Sequence, residues 1–383
     1  MWRATDSFEP LGNRDDFYMR DPAPFRLHID SVKQDLRVLS FSGTEAINEP
    51  FAFHVAVTCT PDVLNVADLL YQSAFLRLAG SEHGIHGQIS KAGMISAVGE
   101  PGHYLVTLSP HLTSLAMPPR KRIFAQMSAP QVIDQILQEQ GLAPASYLFQ
   151  LSADYPLREH CVQYDESNLH FIHRLCEEEG LHYRFEHSRS GHRLMFNDNQ
   201  TFHRIPAQHF GKAGAPAVQR FEIKVEDDER RQVTIAMGQS NQPYLASGYL
   251  MPLQGHVRPE CNSLWLLTEV DHHYHQDNPP DLYNSHYSNH FRACAWDNTL
   301  TSRHKYPKPR IHGLHLARVI DHDPASAERI KIRLDWDGGE NAVCWAAVSK
   351  SALWDKASLP AIGTPLYVCF VEGDPDRPLI RTP

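Results

Sequence analysis

No window of the 383-residue chain approaches 18 uninterrupted apolar residues, and the opening stretch MWRATDSFEPLGNRDD carries no apolar h-region. Neither a membrane-spanning helix nor a cleaved signal peptide is expected, which puts synthesis in the cytoplasm and leaves any export to a route without signal cleavage. CxxC pairs are missing too. The seven cysteines (Cys59, Cys161, Cys176, Cys261, Cys294, Cys344 and Cys369) are odd in number and scattered, which argues against a disulfide framework or a zinc ribbon and predicts free core thiols. GxSxG, HExxH, phosphate-loop, GxGxxG and EF-hand patterns are absent, so the common nucleophile, metalloprotease, nucleotide and calcium chemistries have no support in the sequence.

Excess positive charge is also lacking. Lys and Arg number 36 against 45 Asp and Glu, a net charge of −9 with His neutral, which argues against a nucleic-acid surface. Arg120, Lys121 and Arg122 follow Pro118-Pro119 without interleaved aromatics and so do not suggest a base-stacking groove. Twenty-four histidines make the charge balance sensitive to pH near 6.

What is present reads as mainly β with a few helices, an α+β chain whose length and 42% hydrophobic content suit two or three domains. Residues 1–21 are polar and read as a loose leader. FRLHID, LRVLSFSG and EPFAFHVAV then follow as strands, and in the last of these Phe51, Phe53, Val55 and Val57 share one face while Ala52, His54 and Ala56 share the other. HYLVTLS, LHYRFEH and FEIKVED alternate in the same way. One helix starts at the capping box Ser128/Gln131, buries Val132, Ile133, Ile136 and Leu137, and stops at Gly141. A second runs from a Ser167 cap through Leu169, Ile172, Leu175 and Cys176 to Gly180. Its last turn holds Glu177, Glu178 and Glu179, three acids opposing the helix dipole, read either as a solvated end or as a contact outside the helix.

Residues 301–310, TSRHKYPKPR, are basic and proline-containing and read as a linker. Beyond them IHGLHLARVIDHD, RIKIRLDW, AVCWAAVSK and TPLYVCFVEGD give four strand-like stretches, with Leu379 and Ile380 beginning a fifth, which suits a five-stranded barrel of the oligonucleotide/oligosaccharide-binding (OB) type.

Candidate chemistry is thin. His272, His273 and His275 lie in a dense run with Asp271 and are weak metal candidates, since imidazoles and a carboxylate at close range ligate transition metals. His170 and His173 read as solvated or interfacial side chains on the second helix, and His312 and His315 are weaker candidates still. Asp374 and Asp376 flank Pro375 in a turn, where Asp is favoured because its carboxylate bonds nearby backbone N–H groups. The mixed-charge VEDDERR run (225–231) reads as a solvated hairpin.

CVQYDESNLHFIHRLCEEEGLHYRFEH (161–187) resembles the signature of the valine-glycine repeat protein G (VgrG) family: a QY-ES strand and turn, an F-RL helix, Glu177-Glu178-Glu179-Gly180, then an aromatic strand. INEPFAFHVAV (47–57), RIFAQMSAPQVIDQIL (122–137), YSNHFRA (287–293), RLDWDGG, CWAAV and VEGDPDRPLI also resemble it, the last with Gly373, Asp374, Pro375, Asp376, Arg377 and Pro378. The likeness covers roughly residues 25–380. Ala346 departs from the basic residue common at its position, and the loop after Ser351 lacks the usual glycines.

The resemblance implies a phage-hub-like region over residues 22–305, made of two barrel-like β domains plus helical insertions, and an OB-fold barrel over 306–383. It implies the trimeric hub and spike of a type VI secretion system, similar to the hub of contractile phage tails and secreted without a cleaved signal. Implied partners are the chain itself as a homotrimer, longer spike chains in a heterotrimer, the hexameric tube protein and baseplate proteins. A proline-alanine-alanine-arginine (PAAR) tip protein and effectors follow if a β-helix needle is supplied. No cofactor, nucleic acid or enzymatic activity is implied. Family members continue from the GDPDRP turn into a needle, so the ending Ile380-Arg381-Thr382-Pro383 suggests a spike truncated before it. The alternatives are a prophage tail hub and, from another class, a metal-dependent enzyme using the 271–275 histidines.

Overall fold

The computed structural model describes residues 25–34, 36–59, 64–78, 83–95, 102–198, 202–211, 217–228, 231–276, 285–296, 305–325, 327–336, 342–349 and 359–381. The expected leader, residues 301–304 of the expected linker and the loop after Ser351 lie outside them. The chain divides into two compact units, one of residues 1–110, 184–192 and 202–299, the other of 111–183, 193–201 and 300–383. Compactness therefore groups residues 111–183 and 193–201 with the C-terminal segment, where the linear reading placed them in 22–305.

The first six strands are β1 (Arg26–Ile29), β2 (Leu36–Ala46), β3 (Glu49–Thr58), β4 (Ser73–Arg77), β5 (Gly84–Ile95) and β6 (His103–Ser109), with the short helix α1 (Val66–Leu69) before β4. Hydrogen-bonded pairing runs β1–β4–β5–β6–β3–β2 and returns to β1, a closed circuit in which every neighbour is antiparallel. Phe51, Phe53, Val55 and Val57 all point into it and are at most 1% exposed, as their period of two requires. Each such side chain contributes about 1.5–3 kcal/mol on burial. Gly43, opposite Phe53, leaves the space this ring fills: a Cβ there would sit 2.1 Å from Phe53 Cδ1.

The chain next forms β7 (Arg120–Met127), α2 (Ala129–Glu139), β8 (Tyr147–Gln150), β9 (Arg158–Glu166), α3 (Asn168–Glu179), β10 (His182–Ser188) and β11 (Gly191–Asn197). It then builds a second circuit from β12 (His203–Arg204), β13 (Gln208–His209), β14 (Val218–Asp228), β15 (Arg231–Ser240), β16 (Tyr249–Gln254), β17 (Leu264–Gln276) and β18 (Ser285–Ala295). With β12 and β13 counted as one interrupted strand, pairing runs β13–β16–β17–β18–β15–β14 and closes through the Phe210–Val218 bridge. Both circuits thus visit their strands in the order first, fourth, fifth, sixth, third, second. They differ in one respect: β12 and β13 run parallel to β16, whereas β1 is antiparallel to β4. An antiparallel ladder between β2 and β17 joins the circuits.

In the second unit β7 pairs with β9, and β8 pairs with residues 194–197 of β11. The capping box of α2 forms as expected, with Val132, Ile133, Ile136 and Leu137 all buried. Helix α3 starts at Ser167, which accepts from His170 N–H, and ends at Gly180 in the left-handed conformation. Its buried surface runs from Phe171 to Cys176 without a break, so His173, expected to be solvated or interfacial, is a core residue. The last five strands are β19 (His315–His322), β20 (Arg329–Leu334), β21 (Val343–Val348), β22 (Pro365–Phe370) and β23 (Pro378–Arg381), closed in the order β19–β20–β21–β23–β22. Ile330, Ile332 and Leu334 fill this barrel, and Ala346 is fully buried in it. Strand β23, the fifth strand begun by Leu379 and Ile380, pairs with both β21 and β22. None of the seven cysteines is in a disulfide, and all but Cys369 are buried.

Candidate functional site

The EEEG and GDPDRP motifs meet in the second unit, around residues 305–311 and strand β9. Glu177 reaches across to the linker, where its two carboxylate oxygens accept the N–H groups of Lys305 and Tyr306, each at 3.1 Å. A carboxylate binding two successive N–H groups fixes that backbone as a cap fixes a helix end. The Tyr306 ring then packs on His173 with centroids 4.5 Å apart. His173 Nε2 lies 2.8 Å from the Tyr183 hydroxyl, and burial above all keeps this imidazole neutral, pushing it down to about 3.

Glu178 bridges two arginines, Arg174 Nη1 at 2.7 Å and Arg158 Nη1 at 2.8 Å, and Glu179 pairs with Arg158. Arg174 is 1% exposed, and it also donates to both Glu166 oxygens, at 3.2 and 2.7 Å, and to the Val162 carbonyl at 2.9 Å. This pairing is what makes a buried guanidinium tolerable. Two acids of the last turn, Glu178 and Glu179, are therefore bound to cations on β9 and on their own helix, while Glu177 binds backbone. Gly180 supplies the positive φ that lets the chain leave α3.

The GDPDRP turn grips the same segments. Lys308 Nζ lies 2.7 Å from Asp374 Oδ1 and 2.5 Å from Asp376 Oδ2. Against the rise that burial imposes, the Lys308 ammonium and the Asp376 N–H hold the Asp374 carboxyl below its usual range. Asp376 Oδ1 accepts Val162 N–H at 2.7 Å, the Asp376 carbonyl lies 2.6 Å from His160 Nε2, and the Gly373 carbonyl accepts Ile311 N–H at 2.8 Å. Pro375 and Pro378 are buried, whereas Arg377 is exposed. As expected for a turn, one Asp374 oxygen bonds the Asp376 N–H. The arrangement binds backbone and cations, and its chemistry is that of a clamp.

Elsewhere, strand alternation separates the weak metal candidates. His272 faces the core, with Nδ1 2.6 Å from Tyr287 Oη and Nε2 3.1 Å from Glu45 Oε1, while His273 and His275 project from the opposite, exposed face. Among the described residues no three His, Cys, Asp or Glu side chains converge as a metal site. Of the basic triplet, Arg122 turns inward to Gln163, Asn168 and Glu139. His312 and His315 meet only through a carbonyl, the His312 oxygen 3.2 Å from His315 Nε2. Sequence reasoning missed Lys308, Arg158, Arg174 and Glu166. The i, i+4 spacing of Arg174 and Glu178 was the one local signal for this network.

Residues 44–209 match the family described as phage tail baseplate hub (GPD). The chain is 31% identical to the type VI secretion system spike protein VgrG4b of Pseudomonas aeruginosa, over 93% of this chain and 55% of that protein. It is 29% identical to the actin cross-linking toxin VgrG1 of Vibrio cholerae, over 74% of this chain and 33% of the toxin. The chain thus spans about half the length of the first relative and a third of the second. Among solved structures, the E. coli c3393 protein is described as a component of the type VI secretion system with structural similarity to the T4 bacteriophage tail proteins gp27 and gp5. It shares the fold with a TM-score of 0.79 at 24% identity, over 93% of this chain and 99% of that one. With the doubled strand circuit, the closed C-terminal barrel and the two motifs in one clamp, these likenesses make the chain VgrG-like.

Proposed function

We propose that this chain is the structural hub and spike base of a type VI secretion puncturing device. In this reading residues 22–305 form the hub region, 306–383 form an OB-fold barrel, and 1–21 are a loose leader. The observation that carries it is the repeated strand circuit. Three chains, each with two modules of one pairing order, present six near-equivalent modules, the number a hexameric tube requires for symmetry matching. Homotrimers, or heterotrimers with longer spike chains, would sit on the tube among baseplate proteins. A PAAR tip and effectors would join through a needle, and the assembly would wait in the cytoplasm and leave by firing, without signal cleavage. The clamp supplies stiffness instead of reactivity, and these residues carry no enzymatic activity in this reading. Light scattering over a hundredfold concentration range tests the assembly: a mass near three times 43.5 kDa is expected, and a monomer throughout would refute it. Co-sedimentation with preassembled tube protein tests the docking.

The match to a phage tail baseplate hub favours a second reading, the hub of a contractile prophage tail. Neighbouring genes for secretion membrane components or for capsid proteins distinguish the two.

A further inference from the structure

Three imidazoles meet where the tip of the β10–β11 hairpin lies against β5, all within the first unit. His86 Nδ1 lies 3.1 Å from His192 Nδ1, and His86 Nε2 lies 3.0 Å from Ser73 Oγ on β4. The His86 backbone N–H donates to His187 Nδ1 at 3.2 Å. Phe51 of β3 packs edge-on against the rings of His187 and His192, with centroids 5.0 and 5.7 Å away. The first circuit therefore holds residues 187–192 through imidazoles, next to the Phe185 ring, which is edge-on to Phe51 at 5.0 Å.

Such a tie depends on neutral rings. A bond between two Nδ1 atoms needs one N–H and one bare acceptor, so the pair accommodates at most one added proton and a second drives it apart. His187 is more restricted: with Nδ1 accepting the His86 N–H, the neutral ring carries its hydrogen on Nε2, which is buried with no hydrogen-bond partner. Protonating Nδ1 would remove the acceptor of the His86 N–H and bury a charge beside two other imidazoles. Burial first, then His192, pushes His187 down to about 3, and burial lowers His86 against the opposing pull of the Asp30 carboxylate. Among the described residues, Asp30 beyond β1, His86 on β5, His187 on β10 and His192 on β11 are titratable groups at the cluster. Strands β3 and β4 bring Phe51 and Ser73, and Arg184 and Glu186 of β10 pair with each other at 2.6 Å.

We propose that this cluster is an acid-released latch: in neutral solution the three imidazoles hold residues 184–192 on the first barrel, and mild acid frees that segment. A ring held neutral when latched but free to protonate at its ordinary value near 6.5 when released favours release as pH falls below that value. The released fraction then grows by up to about tenfold per pH unit for each such ring.

Hydrogen–deuterium exchange on the full chain at about pH 7.5 and about pH 5.5, corrected for intrinsic rates, tests this. Protection at residues 84–89 and 184–192 is expected to fall about tenfold or more, while β14 and β15 of the same unit keep theirs. The pair His187→Phe and His192→Gln, which cannot protonate, should remove the acid response. If that variant folds poorly, His192→Gln alone should weaken it. Unchanged protection at 184–192, an equal loss at β14 and β15, or a full response in His192→Gln would overturn the latch.

Discussion

Asp376 receives the backbone N–H of Val162 at 2.7 Å, a bond between residues 214 positions apart. It ties the turn before the last barrel strand to β9, and Lys308 completes it from the linker.

Asp376→Ala leaves a partly buried N–H and the Lys308 ammonium without this acceptor. A loss of about 2–3 kcal/mol is expected for the second unit. Denaturant unfolding followed by Trp336 and Trp345 fluorescence reads it, and an unshifted midpoint would show the clamp to be incidental. Asp376→Asn, which keeps one acceptor, should cost less.

Arg174→Ala strands the Glu166 carboxylate at a vacated buried site and leaves Glu178 with Arg158 alone. The expected cost is about 3–5 kcal/mol. Arg158→Ala, at a more exposed position, should cost clearly less, and thermal unfolding of the two variants side by side gives the ranking.

Acid should weaken the second unit in two stages. His173 has a folded value pushed down to about 3, below its unfolded value near 6.5, so its contribution is whole above about pH 6.5 and is lost as pH falls toward 3. The slope is at most about 1.4 kcal/mol per pH unit. Glu178 and Asp374 are held below the carboxylate range, so their contributions persist above about pH 4.5 and are lost only at lower pH. Stability measured against pH in His173→Gln should keep the second stage and lose the first; a curve unchanged from wild type would contradict the assignment.

Gly43→Ala should destabilise the first circuit by about 1–3 kcal/mol, because its methyl group would overlap the base of the Phe53 ring. Phe53→Leu in the same chain is expected to recover part of the loss. If Gly43→Ala melts like wild type, the close approach of ring and backbone is not what holds glycine there.

Much of the fold was legible where the signal is local. The period of two in Phe51–Val57 and the capping box at Ser128 each specify a structure within a few residues, and both formed. His173 was misplaced because a helical wheel assumes one covered face, whereas α3 is covered on several sides. The clamp could not be read because the partners of its acids are distant: Glu177 binds residues 128 and 129 positions away. Nothing in EEEG states which cations it will meet. Lys308 looked like linker polarity, since a basic residue beside proline carries no mark of the turn it will bind.

The single reversed strand between the two circuits has a bearing on ancestry. Five strands of each circuit share order and direction, which is the trace expected of a duplicated gene segment. The first strand alone departs, parallel in one copy and antiparallel in the other. A duplication that kept five strands and replaced the sixth accounts for both, so a copy-to-copy sequence alignment should begin at β2 and β14, with β1 and the β12–β13 strand left unaligned.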